Sequence, residues 1–78
     1  MRFHYEAKVT VYSQDDTYSE RRTIQDYIEA DSKLAATTHA PTVIRDITAE
    51  WGGDEIDWPV QRTEIHSIRW TPERDNHG

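Results

Sequence analysis

The chain has 78 residues, no cysteine and a net charge of −6. This length fits one small domain, which we place at residues 1–71, with a polar and frayed C-terminal tail at 72–78. The lack of cysteine excludes disulfide staples, thiolate zinc sites and cysteine nucleophiles. The sequence contains no apolar run long enough to span a membrane and no signal-peptide core at its N-terminus, so we expect a cytoplasmic protein.

The charge balance bears on the kind of partner. Fifteen Asp and Glu residues stand against nine Lys and Arg residues, whereas wrapping nucleic acid requires a basic face that displaces counterions from phosphates. We therefore expect no direct nucleic-acid binding. The acidity instead suits a partner with a basic surface, either a protein or a ribonucleoprotein complex. The alternative is that the charge only maintains solubility.

The first predicted element is a strand over residues 2–12. Apolar and polar residues alternate there, which places one set on each face of a sheet. The apolar set is Phe3, Tyr5, Ala7, Val9 and Val11. The next five residues, 13–17, contain no apolar side chain and predict a hairpin loop.

Residues 18–30 allow two interpretations. As a strand, the segment places Ile24, Ile28 and Ala30 on one face, although Asp26 falls in the same row. As a helix, it begins with a capping box at Thr17 and continues as an apolar stripe. We favour the strand because it gives the first strand an antiparallel partner after a short loop.

A short helix is predicted over residues 32–40. Asp31 or Ser32 is placed to cap its first turn, and Pro41 is expected to end it because proline disfavours helix in the residue before it. Residues 43–51 are then predicted to form a strand, with Arg45 interrupting its apolar row.

The C-terminal third begins with a turn at Gly52-Gly53-Asp54. Residues 55–59 follow as an irregular or edge segment, because Pro59 cannot donate to a strand ladder. The last strand is predicted over residues 63–71. Its apolar residues change parity, which indicates a β-bulge near Ser67.

Together these elements predict an α+β fold in the order β-β-α-β-β. The sheet is expected to be mostly antiparallel, with four or five strands and one short helix on one face. The predicted core is Phe3, Ala7, Val9, Val11, Ile24, Ile28, Leu34 or Ala35, Val43, Ile47, Ile65 and Ile68.

Catalytic and metal-binding patterns are weak. Glu64 and His66 share a strand face at a spacing that two metal ligands could use, but a closed zinc site needs three or four protein ligands. The serines lack the glycines of a nucleophile elbow, and the glycines form no phosphate-binding loop. We therefore expect no enzyme activity, no metal and no cofactor.

The aromatic residues favour a binding role, because Tyr and Trp are frequent in interface hot spots. Trp58 lies among three carboxylates in residues 53–59, where it would either anchor a partner or fold back over the sheet. The predicted partner-binding residues are Asp15, Asp16, Asp54, Glu55, Asp57, Trp58, Tyr12 and Tyr27.

Residues 20–51 also resemble a group of known proteins. Two strands, the cap Glu29-Ala30-Asp31-Ser32, an Ala-rich helix and the segment Thr42-Val43-Ile44-Arg45 are similar to small phage and mobile-element proteins of β-β-α-β build, including some anti-CRISPR proteins. The resemblance implies a stoichiometric inhibitor that acts in the host cytoplasm on a nucleic-acid-handling defence complex. It transfers no functional residue, and the acidity of this chain departs from the basic members of that group.

Two functions therefore stand after the sequence alone. The first is a non-enzymatic protein-binding module, in its most specific form a phage-type inhibitor. The alternative is a structural or self-assembling accessory protein, for example a homodimer, that pairs through an exposed sheet edge.

Overall fold

The computed structural model describes residues 1–71, which form one helix and a three-stranded antiparallel sheet in the strand order β2-β1-β3. The predicted α+β class is confirmed, and the predicted tail at 72–78 lies outside the described residues. A single 3-10 turn, Gln14–Asp16, lies between the first two strands. The elements are β1 Arg2–Tyr12, β2 Ser19–Glu29, α1 Lys33–Ala49 and β3 Arg62–Trp70.

The hairpin of β1 and β2 pairs over its whole length, from Arg2 opposite Glu29 to Tyr12 opposite Ser19. The strand interpretation of residues 18–30 is therefore confirmed over Ser19–Glu29, and the helical one is wrong. The tight turn uses positive φ at Asp15 and Asp16, a conformation that Asp tolerates better than most residues.

Strand β3 contains the predicted bulge. Val9 lies opposite Ile65 while Lys8 lies opposite Ser67, so His66 is the extra residue. The bulge reverses the side-chain alternation once. As a result, Ile65 and Ile68 both face the core, although they are three positions apart.

The predicted end of the helix at Ala40 and the predicted strand at 43–51 are wrong. Helix α1 continues through Pro41 to Ala49, so the sheet has three strands among the described residues and the order is β-β-α-β. Proline inside a helix removes one hydrogen bond and costs about 3 kcal/mol. The burial of four helical residues at intervals of four outweighs that cost: Ala36, Ala40, Ile44 and Thr48.

The helix begins after Ser32, whose side-chain oxygen accepts a hydrogen bond from the Ala35 N–H at 3.1 Å. Of the two predicted capping residues, Ser32 is therefore the N-cap and Asp31 is not. This cap satisfies one of the N–H groups that the first helical turn leaves without a partner.

The core is one layer between α1 and one face of the sheet. Leu34, a predicted core candidate, is 76% exposed, because the helix presents its small residues Ala36 and Ala40 to the sheet instead. Ala35, the other candidate, is half-buried. The buried apolar residues are Tyr5, Ala7, Val9, Val11, Ile24, Ile28, Ala36, Ala40, Ile44 and Ile56.

Other predicted core residues lie at the margin of this layer. Phe3, Val43, Ile65 and Ile68 are partly buried against it, and Ile47 is half-buried. One polar contact crosses the layer, since the hydroxyls of the buried Thr48 and of Thr63 are 2.6 Å apart. That hydrogen bond satisfies the buried hydroxyl of Thr48.

Candidate binding surfaces

One end of the molecule brings together two segments that the sequence placed far apart. The ring of Tyr18, next to the β1–β2 turn, stacks on the ring of Trp58 with centroids 6.1 Å apart and planes 20° from parallel. Behind them, the Gln61 N–H donates to the Tyr12 carbonyl at 2.8 Å. We call this surface the acidic end and define it as Asp15, Asp16, Tyr18, Asp54, Glu55, Asp57 and Trp58.

The segment after α1 owes its shape to a compact turn. The Trp51 carbonyl accepts hydrogen bonds from the N–H groups of residues 54, 55 and 56 at 3.0 to 3.2 Å. Gly53 has φ +98°, which a residue with a side chain rarely adopts. Ile56 is buried at 3% exposure, while Asp54, Glu55 and Asp57 are exposed. The buried Ile56 side chain thus anchors this turn, and the three carboxylates around it remain exposed to solvent.

Trp58 folds back over the sheet, which is one of the two interpretations that the sequence left open. It is half-buried and packs against the core, as expected for a residue that folds back over the sheet. Its partner in the stack, Tyr18, is 58% exposed. A groove of about 250 Å³ runs beside the pair and is lined by both segments, including Thr17 and Pro59.

Arginines neutralise part of the acidic end. The Arg62 guanidinium lies 3.2 Å from the Asp16 carboxylate, and Arg22 lies 3.7 Å from that of Glu55. The hydrogen bond that Arg62 donates to the Asp16 carboxylate is the main cause of the raised pKa of Arg62. Within residues 1–71, Asp15, Asp54 and Asp57 form no ion pair. The ion pairs of Asp16 and Glu55 are exposed, and exposed pairs of this kind add little stability.

Tyr12 and Tyr27 lie on a different surface, the sheet face turned away from α1. Tyr27 lies beside His4, with ring centroids 5.7 Å apart, and the Arg2 guanidinium is 4.7 Å from its ring. Tyr12 lies under the Arg62 guanidinium at 3.9 Å. The predicted partner-binding residues therefore divide between two surfaces. We call the second one the open face, meaning the outward side chains of β1, β2 and β3.

Charge is unevenly distributed between the open face and the rest of the molecule. The open face carries five cations against three carboxylates, a net charge of +2, and the remainder of residues 1–71 carries −7. The sequence-based prediction did not include this separation, because it considered only the net charge of the whole chain. The alternation in β1 together with the hairpin register would have revealed it. The cations are Arg2, Lys8, Arg21, Arg62 and Arg69.

The predicted Glu64 and His66 pair does lie together, with a carboxylate oxygen 3.7 Å from the imidazole Nε2. That nitrogen also lies 2.7 Å from the Thr10 hydroxyl. Across residues 1–71, no group of three or more His, Cys, Asp or Glu side chains is placed to hold a metal ion. Glu64 and His66 lie close together because they are two residues apart on β3.

Tyr5 is the buried titratable group of the core, and burial, assisted by the charge of Asp26, raises its pKa to about 12. A phenol with that pKa stays protonated at neutral pH and is a poor base or nucleophile. Its role is therefore in packing.

The part of the chain that is described contains no helix long and apolar enough to cross a membrane. Comparison of the chain with protein-family models, curated proteins and solved structures gives no match in any of the three.

Proposed function

We propose that this chain is a non-enzymatic protein-binding module whose acidic end docks on a basic surface of a protein or ribonucleoprotein partner. The observation that carries the proposal is the stack of Tyr18 on Trp58, which joins two acidic segments into one surface. Exposed aromatic area gives such a surface an anchor, and unpaired carboxylates around it give it charge complementarity.

The two kinds of residue have separate tasks in this proposal. Carboxylates at the rim attract a basic partner over several ångströms and chiefly raise the association rate, an effect that salt screens. The aromatic pair loses water on contact and chiefly lowers the dissociation rate. The groove of about 250 Å³ beside the pair can receive a side chain from the partner.

In its most specific form, the proposed partner is a nucleic-acid-handling defence complex of a bacterial host, and the chain is its phage-type inhibitor. The resemblance to small phage proteins supports this form. A groove that holds nucleic acid is basic, so it is complementary to an acidic end. Blocking such a groove requires binding alone and no catalysis.

The test starts by recovering the partner from a bacterial lysate with the tagged full chain and then measures binding kinetics with the purified partner. Neutralising the acidic end with Asp54→Asn, Glu55→Gln and Asp57→Asn should slow association severalfold and flatten its salt dependence. A matched control, Asp31→Asn, Asp46→Asn and Glu50→Gln, removes the same charge from exposed positions elsewhere. Equal effects of both variants would mean that net charge, and not the acidic end, governs binding.

A second pair of variants tests the aromatic anchor. Tyr18→Ala should weaken binding by about 2 kcal/mol if the stack is a hot spot, mostly through faster dissociation. Tyr27→Ala removes an exposed tyrosine from the open face and should have little effect. If Tyr27→Ala weakens binding and Tyr18→Ala does not, the protein interface lies on the open face. Melting temperatures of both variants check that the fold is intact.

Self-assembly through a sheet edge is the second candidate. Both β2 and β3 are edge strands of the described sheet, and an unpaired edge can add a strand from another chain. Sedimentation over a wide concentration range separates the two functions. A stable dimer that recruits no lysate partner would favour self-assembly over the acidic-end proposal.

A further inference from the structure

We propose that the open face binds single-stranded nucleic acid, with Lys8, Arg21, Arg69 and His66 contacting its phosphate backbone. This surface is separate from the acidic end, so the inference goes beyond the proposed function. The net charge of the chain, from which we expected no nucleic-acid binding, is the sum over two surfaces of opposite sign. A nucleic-acid strand that binds the open face contacts only that surface, so the charge of the open face governs its binding.

The cations at the centre of this face have no acidic partner. Lys8 and Arg21 are exposed and form no ion pair within residues 1–71, and neither does Arg69. The strand register sets Lys8 opposite Thr23 and Arg21 opposite Thr10, so the two cations are diagonal neighbours across the hairpin, within about 8 Å. Uncompensated neighbouring cations favour a ligand with repeated negative charge.

A groove lies at this position. Its volume is about 500 Å³, and the open-face side chains Lys8, Arg21, Thr23 and His66 line it. The His66 ring is fixed by the Thr10 hydroxyl, 2.7 Å from Nε2. Hydroxyl and cationic groups on one wall are the chemistry that contacts phosphate and sugar oxygens. The bulge in β3 contributes directly, since it is the extra residue His66 that reaches the groove.

Aromatic rings stand at the two ends of the face. Tyr12 and Tyr27 each carry a guanidinium over the ring, at 3.9 Å from Arg62 and 4.7 Å from Arg2. Tyrosine rings and guanidinium planes are the groups on which unpaired bases stack. Tyr27 lies opposite His4, eight residues along β1 from Tyr12, so about 26 Å of strand separates the two ends. A short single strand can cover that distance and contact the central cations on its way.

The experiment titrates the full chain into a fluorescently labelled twelve-nucleotide oligo(dT) and follows anisotropy at several salt concentrations. Neutralisation of three phosphates by Lys8, Arg21 and Arg69 predicts a slope of about −2 for log K against log salt, or about 20-fold weaker binding at 200 mM than at 50 mM salt. No binding at 50 mM salt would overturn the proposal.

Matched variants locate the site. Lys8→Gln with Arg21→Gln should weaken oligo(dT) binding at least tenfold and reduce the slope to about −0.7. Lys33→Gln with Arg45→Gln changes the net charge by the same amount outside the open face and should change binding less than twofold. Equal losses in both double variants would contradict a local site. Thermal melting of both confirms folding, since all four side chains are exposed.

Two competitors identify the ligand class. Inorganic polyphosphate should compete more weakly than oligo(dT), because it cannot stack on Tyr12 and Tyr27, and Tyr27→Ala should reduce that difference. Poly-glutamate that competes as well as oligo(dT) would overturn the assignment in favour of an acidic protein partner. The acidic-end triple variant should leave oligo(dT) binding unchanged or tighter, so this proposal and the proposed function can fail separately.

Discussion

Tyr5 is the residue at which the core departs most from a simple apolar layer. It is 2% exposed, its ring meets that of Trp70 edge-on, and its hydroxyl has no hydrogen-bond partner among the described residues. Asp26 lies opposite Tyr5 on β2. This acid can occupy a row of apolar residues because it lies on an edge strand and remains exposed. The unpaired hydroxyl costs free energy without a compensating bond.

The buried Tyr5 hydroxyl predicts that the protein loses stability in alkaline solution. The pKa of Tyr5 is about 12 in the folded protein, against about 10 for an ordinary tyrosine. Above pH 10 the unfolded chain loses the proton and the folded chain keeps it, so stability is complete below pH 10 and falls up to pH 12 by about 1.4 kcal/mol per pH unit. Tyr5→Phe should remove this part of the loss and be neutral or stabilising at pH 7.

The measurement is urea unfolding of both proteins between pH 7 and pH 11.5. Tyr27→Phe is the control, because that ring is 41% exposed. Parallel pH dependences for Tyr5→Phe and the unsubstituted protein would refute the assignment.

At the level of elements, α1 decides the architecture. Its buried stripe packs against the sheet, and Ile44 at its centre is fully buried. The exposed Leu34 lies in the first turn. A helix of 17 residues has room for Pro41 because the turns on either side are held by packing and by the Ser32 cap.

The helix prediction can be tested with two substitutions of aliphatic residues by alanine. Ile44→Ala should lower the free energy of unfolding by about 2–5 kcal/mol, since it leaves a cavity in the core. Leu34→Ala should change it by less than about 0.5 kcal/mol, because the side chain is exposed and alanine is a good helix former. Chemical denaturation measures both. A large cost at Leu34 with none at Ile44 would mean that the helix presents a different face.

At the scale of the whole molecule, β1 is the centre of the fold. Both other strands pair with it, and one cluster of buried residues joins the sheet, the helix and Ile56 of the connecting segment. Three tryptophans pack on that cluster from different directions: Trp51 after α1, Trp58 at the acidic end and Trp70 in β3. A single shared core predicts a single cooperative transition.

Unfolding followed by tryptophan fluorescence should therefore coincide with unfolding followed by far-UV circular dichroism, with equal midpoints in denaturant. The control is Trp58→Phe, which removes the reporter of the acidic end. If fluorescence changes first in the unsubstituted protein but not in this variant, the segment around Trp58 opens separately and the transition is not two-state.

Several features followed from the sequence because they depend on local rules. Alternation in β1 gave its two faces, the polar residues 13–17 gave the hairpin turn, and the change of parity near Ser67 gave the bulge. The cap before α1 was also local, since Ser32 needs only the next three residues to form it. The α+β class and the antiparallel pairing of β1 with β2 follow from these patterns.

Tertiary structure alone decided where the helix ends and what the surface looks like. Pro41 opposes helix locally, and only the burial of Ile44 and Thr48 against the sheet outweighs it. The sequence likewise named Trp58 and its carboxylates but could not place Tyr18 on Trp58, because their contact spans 40 residues. The distribution of charge also depends on tertiary structure. Net charge is a sum over the whole chain, whereas a partner contacts one face. Strand register determines which charged residues lie on that face.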